Sequence, residues 1–199
     1  MQVTTRTYDI VIWGATGFTG RLVMAYMAKT YGVDGEIKWA VAGRNAAKLA
    51  DVKREILGAD AENLPEVVAD SNDEASLRKL VSDTKVVCTT VGPYALYGST
   101  LVALCAELGT HYCDLTGEVQ WMRQMIEAHQ ATAEASGAKI VHTCGFDSIP
   151  SDLGTYFVQR EMHKAHGVYA PRVKYRVVGS KGGVSGGTVA SMMNMMEEA

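Results

Sequence analysis

The sequence predicts an α/β protein: a doubly wound parallel sheet covered by helices on both faces, followed by the start of a second, α+β domain. Three observations lead there. Short apolar segments alternate with segments of helical length over the first 150 residues. The first apolar segment runs into a triplet of glycines at 14, 17 and 20 that opens a helix. Beyond residue 166 the rhythm changes to strict polar/apolar alternation and then to a glycine-rich stretch. Strands separated by helices require right-handed crossovers, and these give a parallel sheet buried on both faces.

Each element has a local reason. Residues 8–13 form a short apolar strand that ends at the glycine loop. Residues 18–31 read as a helix, with Gly32 as its stop. Residues 37–42 are a second strand, ending at Gly43-Arg44, and Asn45 caps a helix that runs to Leu57. A short third strand spans 66–69, and residues 73–81 fit a helix. Residues 85–91 are an apolar, β-branched fourth strand. Ser99 caps a helix ending at Gly109, residues 111–115 are a fifth strand, and a long helix over 118–136 stops at Gly137. A sixth strand covers 139–143, and residues 151–166 are helical with Gly167 after them. In residues 172–178, Val173, Tyr175 and Val177 share one face, and Arg172, Lys174 and Arg176 the other. That is the pattern of a half-exposed strand. The glycine-rich residues 179–187 lead into a helix that is still running at Ala199. The expected division is residues 1–150 as one domain and 151–199 as the beginning of a truncated second one, for substrate or dimerisation.

Composition narrows the class. The chain has 199 residues, 47% of them hydrophobic, enough for one well-buried core. A formal charge of −3 argues against a nucleic-acid partner, which needs a basic face. The four cysteines, Cys88, Cys105, Cys113 and Cys144, form no Cys-x-x-Cys pair and read as free thiols in a reducing compartment. The polar residues 1–8 carry no secretory signal. No apolar run approaches the ~20 residues of a membrane span. A cytoplasmic protein is expected, with peripheral membrane or lipid contact left open.

The glycine triplet carries the first chemistry. Gly14 permits the tight turn out of the strand, Gly17 lets the backbone approach a pyrophosphate, and Gly20 lets the helix pack against the sheet. The helix start, at Phe18, supplies unpaired N–H groups and a positive dipole end. Thr16 and Thr19 offer hydroxyl donors. This is the Rossmann, NAD(P)-binding form of the doubly wound sheet. The second strand selects the nucleotide. An NAD site places a carboxylate about twenty residues after the loop. Here the strand ends Val41-Ala42-Gly43-Arg44-Asn45, with Arg44 where a 2′-phosphate would lie and Lys48 one turn later. A guanidinium bonds such an anion through two parallel N–H groups, so NADP is favoured over NAD. Asp70, ending the third strand, either approaches the adenine or caps the next helix. Val91, Gly92 and Pro93, after the fourth strand, offer a close-approaching backbone for the nicotinamide ribose.

Candidates for acid/base chemistry follow the later strands. Tyr94 and Tyr97 line the substrate side or simply pack. Asp114 and Glu118 follow the fifth strand, and Asp147 follows the sixth. Each is a general acid/base or a cap. Ser151 is a further N-cap candidate, and Ser185-Gly186-Gly187-Thr188 a further constellation. Cys144 lacks an evident base apart from His142. His163 and His166 lack companions for a metal site, so no metal is expected. The Tyr-x-x-x-Lys pair of short-chain dehydrogenases is absent.

Together these motifs resemble a known family. They are residues 11–20, Ala42-Gly43-Arg44, Val91-Gly92-Pro93-Tyr94, the Tyr112-Cys113-Asp114-Leu115-Thr116-Gly117-Glu118 run and the Gly145-Phe146-Asp147-Ser148-Ile149-Pro150-Ser151-Asp152 run. The set is similar to saccharopine dehydrogenase-like oxidoreductases, a group that includes trans-acting enoyl reductases. The last run is the most specific. The resemblance implies an NADP-dependent oxidoreductase with a second α/β domain, in a family of chains roughly twice this length. It implies a small-molecule or lipid-linked substrate, such as an enoyl group, and a homodimer is a further expectation. The alternative is an NADP-binding regulatory or lipid-surface protein without turnover, the latter suggested by Met192, Met193, Met195 and Met196.

Overall fold

The computed structural model describes residues 6–179, 181–183 and 185–198. The polar start of the chain, over residues 1–5, lies outside the described residues, as do Ser180 and Val184 of the glycine-rich stretch and the terminal Ala199.

Backbone order follows the sequence rhythm. β1 (Tyr8–Trp13) leads to α1 (Phe18–Tyr31), β2 (Trp39–Gly43) to α2 (Ala46–Leu57) and a 3₁₀ segment (Gly58–Asn63), and β3 (Glu66–Val68) to α3 (Glu74–Ser82). The second half runs β4 (Thr84–Thr89), α4 (Tyr94–Tyr97), α5 (Ser99–Leu108), β5 (His111–Cys113), α6 (Val119–Ser136) and β6 (Ile140–Val141). Two helices follow, α7 (Ile149–His166) and α8 (Gly186–Glu198). The six strands form one parallel sheet in the order β3-β2-β1-β4-β5-β6. The chain winds outward from β1 in one direction and then, from β4, in the other. The reversal opens a crevice at the carboxyl ends of β1 and β4, where doubly wound sheets bind ligands.

Both faces of the sheet are buried over the second half of β1 and all of β2, so Val11–Trp13 and Trp39–Gly43 are apolar throughout rather than alternating. Val11 and Ile12 are consecutive, point to opposite faces and are both fully buried. Val11 joins Trp13, Val87 and Tyr112 under Leu77 and Leu80 of α3, Leu101 of α5 and Trp121 of α6. Ile12 joins Trp39 and Val41 under Met24 of α1 and Leu49 and Val52 of α2.

Three local expectations are corrected. Residues 172–178 join no strand, and Tyr175 and Val177 are more than half exposed. Alternation makes a strand only where a neighbour accepts its N–H and C=O groups. Ser99 is the first residue of α5 rather than its cap, because its hydroxyl accepts the indole N–H of Trp121 at 2.9 Å. α7 begins at Ile149, two residues earlier than expected, with Pro150 in the first turn, where its missing N–H costs nothing. The hydroxyl of Ser151 donates to the Ser148 carbonyl at 2.8 Å instead of capping.

Replacing Ile12 by Ala should cost about 2–5 kcal/mol, the range for truncating a fully packed aliphatic side chain. Urea unfolding should show a lower midpoint at unchanged slope, while Ile126→Ala, on the exposed face of α6, should stay within about 0.5 kcal/mol.

Candidate cofactor and active site

A cleft of about 350 Å³ lies at the reversal point. Its floor is the turn out of β1. Gly14 has φ +89°, a left-handed conformation that disfavours any side chain. A Cβ there would also sit 2.6 Å from Val91 Cγ2 and 2.9 Å from Thr90 Oγ1, so the close approach of the β1 and β4 loops requires glycine. At Gly20 a Cβ would lie 2.2 Å from the Gly14 carbonyl oxygen and 2.8 Å from the Ala15 Cα. Both obstacles are backbone, so α1 can start this close to the sheet only without a side chain. Gly17 caps α1 with no side-chain hydrogen bond, and the first turn holds no acidic residue. The first N–H groups of α1 are thus left for an anion, with the helix dipole behind them.

The residues expected to hold a cofactor fall mostly on this cleft. Gly14, Thr16, Gly17, Phe18, Thr19, Arg44, Asp70, Val91 and Gly92 all line it. Gly20 is buried behind the turn. Lys48 is exposed on α2 outside the lining; its backbone N–H donates to the Asn45 side chain at 3.0 Å, the expected cap. Pro93 is buried beneath the loop. The Asp70 carboxylate accepts the Asn72 N–H at 2.9 Å, and α3 is capped by Asp73 instead. Trp13, Gly43, Ser71, Asn72 and Thr90 also line the cleft. Their signal in the sequence was position alone, at the carboxyl ends of strands.

Gly92, Tyr97, Ser185 and Gly187 complete the lining. The last two come from the glycine-rich stretch, about 90 residues further along the chain. Ser185 turns its hydroxyl to the Thr188 N–H at 3.2 Å and so caps α8 at the edge of the cleft.

The acid/base candidates lie elsewhere. Tyr94 is buried, packed on Trp121 with ring centroids 5.6 Å apart, and Tyr97 is the tyrosine that reaches the cleft. Burial, reinforced by the charge of Asp114, pushes the Tyr94 hydroxyl above its ordinary range. Asp114 is buried at the end of β5 and fully engaged. Its Oδ1 accepts the N–H groups of Thr116 at 3.1 Å and Thr143 at 2.9 Å; its Oδ2 accepts the Tyr112 hydroxyl at 2.9 Å and faces His142 Nδ1 at 2.6 Å. Asp147 is exposed and outside the lining. Glu118 does act as a cap, but for a different helix: its carboxylate accepts the N–H groups of Tyr94 and Ala95, each at 2.8 Å, at the start of α4. These carboxylates shape the loops around the cleft and do not face it.

The chemistry of the lining is therefore plain. It offers one guanidinium, one carboxylate, several hydroxyls and open backbone N–H groups. Among the described residues no cluster of side chains is fit to hold a metal ion, and no helix is long and apolar enough to cross a membrane.

A glycine turn, a free helix N-terminus and a cleft at the sheet's reversal point define a Rossmann-type dinucleotide-binding domain. The chain belongs to the saccharopine dehydrogenase NADP-binding domain family, whose model matches residues 10–141. Its cofactor is NADP, in keeping with Arg44 at the end of β2. A trans-acting enoyl reductase of Mycobacterium leprae is 44% identical over 157 residues, covering 79% of this chain and 37% of that one. A trans-acting enoyl reductase of Mycobacterium tuberculosis (strain H37Rv) is 40% identical over 200 residues, covering all of this chain and 47% of that one. The chain thus spans about half the length, or less, of these curated relatives. The fold is shared with apo saccharopine dehydrogenase (L-Glu forming) from Saccharomyces cerevisiae, at a TM-score of 0.64 and 18% identity over 79% of this chain and 32% of that chain.

Arg44→Ala should weaken NADPH binding by about 1.5–3 kcal/mol, the scale of hydrogen bonds to a charged partner. Fluorescence titration should show the preference for NADPH over NADH largely abolished, with NADH affinity little changed.

Proposed function

We propose that this chain is the cofactor-binding part of an NADP-dependent oxidoreductase that reduces a lipid-linked enoyl group. The observation that carries the reading is the composition of the cleft. Gly14, Gly17, the start of α1 and Arg44 line it with groups suited to the phosphates of NADP. Tyr97, Gly92, Ser185 and Gly187 line it as well, and in this reading they face the substrate. NADPH supplies a hydride when bound, so the protein's task is to hold and orient it and to shield the reacting carbons from water. The α1 N-terminus holds the pyrophosphate and Arg44 the 2′-phosphate. The backbone of Val91 and Gly92 sets the position of the nicotinamide ribose, and Pro93 fixes that backbone from beneath. Asp70 sits beside the adenosine end.

The trans-acting enoyl reductases to which the chain is similar support an enoyl substrate. Residues 1–150 are the cofactor domain in this reading, and residues 151–199 begin a second domain that completes the substrate side and a homodimer. A regulatory NADP-binding role is the second reading. It is favoured by one observation: none of Tyr94, Asp114 and Asp147 lines the cleft.

The test is NADPH oxidation followed at 340 nm, with a long-chain enoyl thioester on a pantetheine carrier. It should be run on this chain and on one extended to the length of its relatives. Loss of NADPH matched by saturated product supports the reductase. Tight NADPH binding by the extended chain with no saturated product contradicts it and leaves the regulatory reading.

A further inference from the structure

Three of the four cysteines come together at the carboxyl ends of β4, β5 and β6. Cys88 on β4 is level with Cys113 on β5. Level residues on neighbouring strands stand on the same face. Val87 and Tyr112, each one residue earlier, are buried in the core beneath α5 and α6, so the two thiols stand on the opposite face. Both are half-buried, and neither belongs to either apolar core. Their thiols are close enough to influence each other. The neighbouring Cys113 thiol holds Cys88 below the ordinary thiol range, and Cys88 in turn holds Cys113 above it. Cys144, exposed, follows β6 three residues beyond Val141, which is level with Cys113. Cys105 differs: it is fully buried in α5, and burial keeps its thiol protonated.

Packing explains none of this. A half-buried pair of thiols contributes little apolar burial, and valine would fill a strand position better. The spacing fits a chemical role. Adjacent strands hold level Cα atoms about 4.8 Å apart, inside the roughly 4.4–6.8 Å window that a disulfide spans. The bond can close without moving either strand far.

We propose that Cys88 and Cys113 form a peroxide-sensitive dithiol site whose disulfide ties the ends of β4 and β5 together. The Cys88 thiolate attacks one oxygen of the peroxide; the O–O bond breaks, Cys88 becomes a sulfenic acid, and the departing hydroxide takes a proton to become water. The Cys113 sulfur then attacks the sulfenic sulfur; the S–O bond breaks, and the hydroxide leaves as water with the Cys113 proton. Two thiols and one hydrogen peroxide give one disulfide and two waters. Cys88 is followed, through Thr89, by the Thr90-Val91-Gly92 wall of the cleft. Cys113 is followed by Asp114, which anchors the next loop through Thr143. Closing the disulfide therefore alters nucleotide binding, a consequence that rests on the cofactor role of the cleft.

The experiment treats the chain with hydrogen peroxide, alkylates the remaining thiols and maps peptides by mass. The expected result is a Cys88–Cys113 cross-linked peptide, two hydrogens lighter than its parts and reversed by dithiothreitol. Phenylarsine oxide, which bridges paired thiols, should bind the reduced chain one-to-one and block the cross-link. Cys144→Ser should leave both results unchanged, and Cys88→Ser and Cys113→Ser should each abolish both. If peroxide leaves Cys88 and Cys113 alkylatable, or gives only oxygen adducts on separate cysteines, the dithiol site is refuted. NADPH affinity should fall roughly tenfold on oxidation, an ordinary size for coupled sites, and recover with dithiothreitol. Unchanged affinity in a cross-linked chain overturns the coupling. A reduced chain that binds no NADPH contradicts the cofactor reading instead and leaves the mass result standing.

Discussion

The close approach of two loops at the end of β1 governs the rest of the site. The chain leaves the sheet at Gly14 in a conformation open to glycine, with the β4 loop pressed against it at Val91 and Thr90. That contact brings together the two halves of the sheet, which wind away from each other on either side of β1 and β4. It also fixes where α1 begins, because Gly20 must pass the Gly14 carbonyl at a distance no side chain permits. A residue with a Cβ at either position would push α1 off the sheet or the β4 loop away from β1. The N–H groups of the first helical turn would then no longer point at the crevice. The cleft is thus a by-product of backbone packing, and its anion-binding character is built from the main chain.

Two buried carboxylates keep the surrounding loops in place. Asp114 draws together the loops after β5 and β6, holding the N–H groups of Thr116 and Thr143 with one oxygen and Tyr112 and His142 with the other. Thr143 has φ 60°, a left-handed conformation that costs a β-branched residue about 1–3 kcal/mol and persists only when its surroundings over-determine it. The Asp114 carboxylate supplies that constraint. Glu118 plays the matching part at α4, taking up the first two N–H groups of a helix too short to be stable alone. Removing either carboxylate would strand buried donors, and each stranded donor costs about 1–3 kcal/mol. A residue engaged in this way is poorly placed to exchange protons with a substrate. The acidic residues that a reader of the sequence singles out are therefore the frame of the site.

Local signals made most of the fold legible. The strands that matter are apolar and short, and the helices between them carry their own stops and caps, as Asn45 does for α2. The glycine spacing and Arg44 pointed to residues that do line one cleft. What stayed hidden depends on distant partners. Alternation in residues 172–178 matched a strand, yet pairing needs a neighbour that the described residues do not provide. Glu118 looked like a cap for its own helix, and only the fold brings α4 to it from 23 residues upstream. The inward turn of Tyr94 and the outward turn of Tyr97 are decided by packing on Trp121, also out of reach of local patterns. Ser185 and Gly187 reach the cleft through a fold-back that no periodicity encodes.

In the proposed site, main-chain N–H groups after β1 receive the nucleotide's pyrophosphate while Arg44 receives its 2′-phosphate. Amide NMR, with NADP⁺ titrated into ¹⁵N-labelled protein, separates the two contacts. The largest shifts should fall on the N–H groups of residues 16–20, with a second group at Arg44 and at residues 90–92, and NAD⁺ should move the first group but not Arg44. Shifts concentrated away from the β1–α1 turn, or an Arg44 amide indifferent to the 2′-phosphate, would contradict it.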